Sequence, residues 1–401
     1  MAVQSPPSPP STRDPRIEDG VIEDARARQR RHRRIGWVLA AAAVATGALI
    51  AGLTGGRGAG HHAGGQPPDS SSSPPATGSA VVPKQPIALA VGPSGELYVA
   101  DAGREQILRR LPNGRFVVAA GTGVPGYTGD GGRATQAELD GPASLAVAAN
   151  GAVYFVQAGR TMVSSGLNSI VREVKPNGTI TTIIGQAPNC AAVPASARSV
   201  PAGSAELSGA VLTIVSGGGL NLSTTVCPNV LHLGSFLRLT QSGELVQTPA
   251  GSVPDTSGYC GPEIAGPGFI AFGCISGARR GPRLMIVRAN GSTRNYPDTG
   301  SQPDDMAASN GTVVAIHNGA VVRIRANSLH AIATQRQLTK LVSGRALHMG
   351  DNGIAIDRYG RVYVNQDYLV AHRGCTDVIT EIAPNRHMRT LWQSALTRSC
   401  Y

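Results

Sequence analysis

PIALAVGPSGELYVADAGREQILRRLPNGRFVVAAG, residues 86–121, carries the pattern that decides the fold. Short runs alternate between apolar and polar residues, the period of half-buried strands. The runs are separated by Gly92-Pro93-Ser94-Gly95 and by Pro112-Asn113-Gly114. Asn-Gly pairs suit hairpin turns that need positive φ. The stretch therefore reads as strand, tight Gly turn, strand, loop, strand, Asn-Gly turn, strand. The same order returns at 142–185, as PASLAVAANGAVYFVQAGR, an insertion and NSIVREVKPNGTITTIIG. It returns again at 352–393, as NGIAIDRYGRVYVNQDYL and TDVITEIAPNRHMRTLWQ. Weaker copies contain AVLTIVSGGGLNLS (210–223), GFIAFGCIS (268–276) and MAASNGTVVAIHNGAVVRIRANSLHAIAT (306–334). Six units of roughly 50 residues, each with four short antiparallel strands, predict an all-β, six-bladed β-propeller. The faint middle copies leave a count of seven blades compatible with the spacing.

Composition agrees. The 401 residues include 51 Gly and 28 Pro, and only 15% are charged, against about 25% in an average domain. That excludes a coiled coil or a large helical bundle. The net charge is +11, with 36 basic residues of which only Lys84, Lys175 and Lys340 are lysine. Arg in place of Lys, alongside abundant Ala, Gly and Pro, fits a high-GC genome better than a nucleic-acid binder, and no nucleic-acid partner is expected.

Residues 86–142 resemble NHL repeats, through Leu97-Tyr98-Val99-Ala100-Asp101 followed by Ile107. The segment AGTGVPGYTGDGGRATQAELDGP, 120–142, is similar to the inter-blade linker of bacterial NHL-type propellers. The sequence departs from the family where repeats carry Asn and Arg after the Asp: here the residues are Ala102 to Gln106. In the second unit the Asp is Gln157. The resemblance implies a bacterial, membrane-anchored, extracellular propeller, in a layout similar to the sensor propellers of actinobacterial receptor kinases. A tail of 34 residues is too short for a kinase, so signalling would need a partner.

The anchor is read from the N-terminus. Residues 1–34 form a Pro/Ser-rich, disordered cytoplasmic tail ending in Arg26, Arg28, Arg30, Arg31, Arg33 and Arg34. Residues 35–53 are uncharged and long enough for a transmembrane helix. The Arg cluster on their N-terminal side places the tail in the cytoplasm and the propeller outside. A cleaved signal peptide is the rival reading. Residues 54–84 form a Gly/Ser/Pro-rich linker, and 85–401 the propeller.

In this scheme the first-to-second and third-to-fourth strand turns are short and share one face. The opposite face collects the long links 121–142, 185–209 and 249–267 and the loops 157–169 and 365–377. Long loops on a rigid scaffold commonly carry binding. Candidate ligand residues lie at the long-loop ends of inner strands: Asp140, Asp304, Asp305 and Asp351 before first strands, and Asp101, Gln157, Asn365 and Asp367 after second strands. Such a ring of oxygens near the axis could hold Ca²⁺ in the central channel, although Asp and Asn also cap turns. No catalytic motif and no metal-ligand spacing is present, and no other cofactor is expected.

The six cysteines lie within the outer region, as disulfides in an oxidising compartment would. Of fifteen pairings, the strand map favours Cys190–Cys227, Cys260–Cys274 and Cys375–Cys400. The functional expectation is a recognition scaffold at the cell membrane, binding an extracellular protein, peptide or cell-wall glycan. The alternative is a metal-dependent hydrolase or lyase with its site in the channel. Neither ligand identity nor oligomeric state follows from the sequence.

Overall fold

Residues 86–120 form one antiparallel sheet of four consecutive strands: β1 (Pro86–Val91), β2 (Leu97–Asp101), β3 (Gln106–Arg110) and β4 (Phe116–Ala120). The computed structural model describes residues 78–157, 169–185, 199–205, 207–214, 219–226, 236–247, 259–266, 269–275, 283–288, 293–296, 305–309, 312–325, 328–342, 346–370 and 373–396. The proposed tail and span, most of the linker, Asp304, Cys190, Cys227 and Cys400 lie outside them. Among the described residues no helix is long and apolar enough to cross a membrane.

Five more sheets follow the same plan. The second comprises β5 (Pro142–Val147), β6 (Val153–Gln157), β7 (Ile170–Val174) and β8 (Ile180–Ile184). The third comprises β10 (Leu207–Ile214), β11 (Leu220–Val226), β12 (Phe236–Leu239) and β13 (Glu244–Gln247), with β9 (Ser199–Pro201) added outside β13. The fourth comprises β14 (Tyr259–Gly266), β15 (Phe269–Ile275), β16 (Arg283–Arg288) and β17 (Thr293–Tyr296). The fifth comprises β18 (Asp305–Ser309), β19 (Thr312–His317), β20 (Ala320–Arg325) and β21 (Ser328–Ala333). The last comprises β22 (Ala346–Ile356), β23 (Val362–Val370), β24 (Gly374–Ile382) and β25 (Met388–Gln393). The first strands β1, β5, β10, β14, β18 and β22 neighbour one another in cyclic order. The chain is thus an all-β propeller whose inner strands line the axis.

The second strand of the first sheet is buried on both faces, not on one as the alternation suggested. Every residue of Leu97–Asp101 is buried. Each sheet is sandwiched between two others, so both faces of a middle strand leave water. Tyr98, Ile107 and Leu139 pack with Leu145 and Phe155 between the first two sheets. Leu89, Val99 and Leu108 pack with Ala355, Tyr363 and Ile379 between the first and last. That second cluster closes the ring. At the seam, a Cβ on Gly353 would lie 3.2 Å from both Ala88 Cα and Leu89 N, so glycine lets β22 approach β1. Val81 pairs with Phe116 at the outer edge of the first sheet, so it does not complete the last one.

The Pro-Asn-Gly turns also differ in detail from the expectation. Only the glycines take positive φ (Gly114 at 88°, Gly178 at 83°). Leu111 N donates to Arg115 O and Gly114 N to Leu111 O, and Lys175 to Thr179 repeats this. These are three-residue hairpin loops with glycine at the left-handed corner. The Asn side chain accepts from the amide two residues on (Arg115 N, 3.1 Å; Thr179 N, 3.0 Å).

The links between sheets act as clasps. Gly121 N donates to Ala134 O (2.9 Å), and Ala134 N donates to Gly178 O (2.8 Å) at the start of the next outer strand. The following link repeats this: Gly185 N to Ala202 O (3.1 Å) and Ala202 N to Gly243 O (2.8 Å). In both, a short 3-10 turn follows, Ala134–Gln136 and Ala202–Ser204. Gly121 sits at φ 97°, and a Cβ there would lie 2.4 Å from Glu105 O. Only glycine fits.

The first clasp is riveted by Arg172. Its guanidinium is fully buried and donates to Glu138 O (3.0 Å), Thr128 O (3.1 Å) and Asp130 Oδ1 (2.6 Å). Thr182 N donates to the other Asp130 oxygen (2.9 Å). Burial alone would raise the Asp130 carboxyl, but the hydrogen bonds from Arg172 and Thr182 outweigh it and hold the group below its ordinary value. A depressed folded-state pKa gives stability that is present above the unfolded value and lost as pH falls through the folded one. The wild type should therefore lose stability as pH drops below about 4, and Asp130→Asn should be less stable at neutral pH with a flatter acid limb. Urea midpoints measured from pH 7 to pH 2.5 check this.

Candidate functional site

Asp101 and Gln157 end second strands as expected, but Asp351, Asn365 and Asp367 lie within β22 and β23, because pairing of β23 with β24 turns most of the expected loop 365–377 into strand. Asp101, at the end of β2, is fully buried. Its carboxylate accepts from Lys84 N (2.7 Å), Gln85 N (2.9 Å) and Arg104 N (3.2 Å). Burial pushes its carboxyl above the ordinary value, and the backbone donors and Arg104 pull the other way without cancelling it. Asp101 thus fixes the entry of the chain into β1. Gln157 holds the matching place on β6, and its Nε2 donates to Gly126 O (2.6 Å) in the preceding link. Gln366, the match on β23, is also buried. It accepts from Tyr368 Oη (2.9 Å). The end of the second strand therefore holds down the loop before its own sheet in the first two units.

Asn365 Nδ2 donates across the ring seam to Pro86 O (2.7 Å). Asp305 accepts from Met306 N and from Ile354 N, both at 2.8 Å, which ties β18 to β22. Ser144 does the same between β5 and β10, accepting from Leu212 N (2.8 Å). Asp351 lies on β22 opposite Gln366, and Asp367 on β23 opposite Asp377. Asp140 is buried and accepts from Tyr127 Oη (3.3 Å). Glu105, which the sequence reading passed over, accepts from Gly141 N (2.6 Å) while its backbone sits at φ 54°. Its place in the sequence was the departure after Asp101, at Ala102 to Gln106, whose role the residue types alone did not show. Burial, with the charges of Asp140 and Glu105 beside it, pushes the Tyr127 phenol up to about 12.

These residues are distributed around the ring. Among the described residues no three acids, histidines or cysteines come together as a metal-binding group. The opposite, short-turn mouth of the channel is a cavity of about 380 Å³ lined largely by apolar residues, including Leu89, Val91, Leu145, Met306 and Ile354. Cys375 is buried and disulfide-bonded. Its expected partner Cys400 lies outside the described residues.

Repeated four-stranded sheets, inter-sheet clasps and the Leu97–Asp101 signature are those of an NHL-repeat β-propeller. The model of the teneurin NHL domain matches residues 117–201, which covers the first clasp and the second sheet. Zebrafish (Danio rerio) teneurin-3 is 37% identical over 113 residues, and human teneurin-1 is 33% identical over 111. Each match covers 24% of this chain and only 4% of the much longer relative. Solved structures with a similar course include a streptogramin B lyase (12% identity, TM-score 0.43, 79% of this chain and 85% of that one). Another is a gluconolactonase from Xanthomonas campestris (12% identity, TM-score 0.45, 71% and 84%).

If Asp101 is a structural tie, Asp101→Ala strands buried amides and should cost about 3 kcal/mol. Asp101→Asn should cost less, since one oxygen still accepts. Urea denaturation of the three proteins checks the order; an unchanged midpoint in the alanine variant would contradict it.

Proposed function

We propose that the protein is a membrane-anchored recognition scaffold, with residues 35–53 as the anchor and the six sheets as six blades of an extracellular propeller. In this reading the long-loop side binds a protein, a peptide or a cell-wall glycan. The observation that carries it is the employment of the polar groups at that end. Asp101, Gln157, Asn365 and Asp305 hold backbone in place, so the described ring has no set of acids gathered around one reacting atom. The same ties make the surface rigid, which lowers the entropic cost of binding. Residues 122–127, although held by bonds such as Gln157 Nε2 to Gly126 O, expose Val124 and Tyr127, both more than one-third accessible. In this reading the cross-strand opposition of Cys260 and Cys274 in β14 and β15 supports the expected disulfide and an oxidising location.

A photo-crosslinking side chain placed at Val124 of the intact chain, in its native membrane, should give a discrete adduct. The same side chain at Asn113 or Asn177, on short turns, should give none. Adducts from the short turns but not from Val124 would overturn the assignment of the binding side.

A further inference from the structure

We propose that the short-turn end of the seam between the fifth and last sheets is a binding site for an oxyanion, a phosphoryl or carboxylate group carried by a ligand. It is separate from the long-loop surface and does not depend on that reading. A cavity of about 190 Å³ lies there, lined by Arg323, His330 and Arg386 with apolar Ile332 and Ile382 behind them. No acid lines it. The nearby carboxylates are engaged elsewhere: Asp357 with Arg361, and Glu381 with Arg389. Arg323 and His330 are direct cross-strand partners on β20 and β21, so their side chains share one face. Arg323 Nε is buried and meets no acceptor among the described residues.

Arg386 gives the stronger reason. It lies in the turn Ala383-Pro384-Asn385-Arg386, where Arg386 N donates to Ala383 O and Ala383 N to His387 O. Those are the bonds of the Pro112-Asn113-Gly114 and Pro176-Asn177-Gly178 turns. Arg386 therefore occupies the corner that glycine holds in the first two sheets, and it does so at φ 66°. Left-handed backbone is disfavoured for a side-chain-bearing residue relative to glycine. An arginine kept in that strained place, on the lining of a cavity shared with Arg323 and with His330, whose Nε2 lies 2.8 Å from Ser328 Oγ, fits a site for a bidentate oxyanion.

The test is a titration of the full-length chain in detergent with inorganic phosphate against chloride at equal ionic strength, read by thermal midpoint and calorimetry. The wild type should show a saturable rise in midpoint. Arg386→Gly should raise the midpoint without phosphate, because strain is relieved, and weaken phosphate binding about tenfold or more. Arg323→Gln should weaken it similarly. Arg133→Gln, on the clasp, should leave it unchanged. Glucuronate in a parallel arm separates the sources: a stronger response than phosphate assigns a carboxylate ligand, a weaker one a phosphoryl ligand, and both uphold the site. No saturable response to either anion in the wild type, or equal responses in all variants, overturns it.

Discussion

The buried guanidinium of Arg172 holds the first inter-sheet clasp to the sheet that follows it. Side-chain packing and single hydrogen bonds at Ser144, Asp305 and Asn365 tie inner strands to their neighbours, and the outer strands need a constraint of their own. The link 121–142 supplies the missing constraint. It leaves one outer strand at Gly121, reaches the start of the next outer strand at Gly178, and is held there by Asp130 and Arg172. A buried ion pair is costly to break from one side, because the survivor is left without its partner. The first sheet solves the same problem with apolar groups. Leu108 holds the place of Arg172, and Val81 packs against the cluster containing Leu108 and Phe116. Apolar clasp and leucine, polar clasp and arginine: the link and the strand beneath it match in character.

This reassigns the long links. Their length suggested a surface given over to binding, yet residues 128–138 are consumed in joining sheets. In the proposed reading, what remains for recognition is the exposed side chains of the stretch 122–127, chiefly Val124 and Tyr127. The polar residues at the strand ends follow the same logic. A carboxylate at Asp101 and an amide at Gln157 differ in chemistry but do one job, holding the incoming loop. Asp101 meets amide donors and Gln157 meets a carbonyl, so each side chain has the polarity its loop requires.

Much of the fold was legible because hairpins are local. Alternation, Asn-Gly turns and the spacing of repeats locate strands without knowledge of the tertiary structure, and residues 86–121 alone contain a whole sheet. The burial of both faces of Leu97–Asp101 was less legible, since a run of five cannot report what lies above and below it. The roles of the site residues were hidden for a related reason. Asp140, Asp305 and Asn365 look alike in sequence whether they bind a ligand or a neighbouring strand, and only the position of Ile354 N or Pro86 O separates the two. Arg386 shows the opposite case. The departure from Pro-Asn-Gly to Pro-Asn-Arg was visible in the sequence, but its meaning depended on the left-handed corner.

Native-state hydrogen exchange resolved to single amides tests the central claim that the links are structural clasps. Gly131 and Ala134 donate to Ile180 O and Gly178 O. If the clasp is part of the cooperative fold, their amides open with the same free energy as that of Val99 in the first sheet. Exchange of Gly131 and Ala134 by local opening, far faster than Val99 and unchanged in Arg172→Leu, would mean that the link is a surface loop and that something else sets the ring.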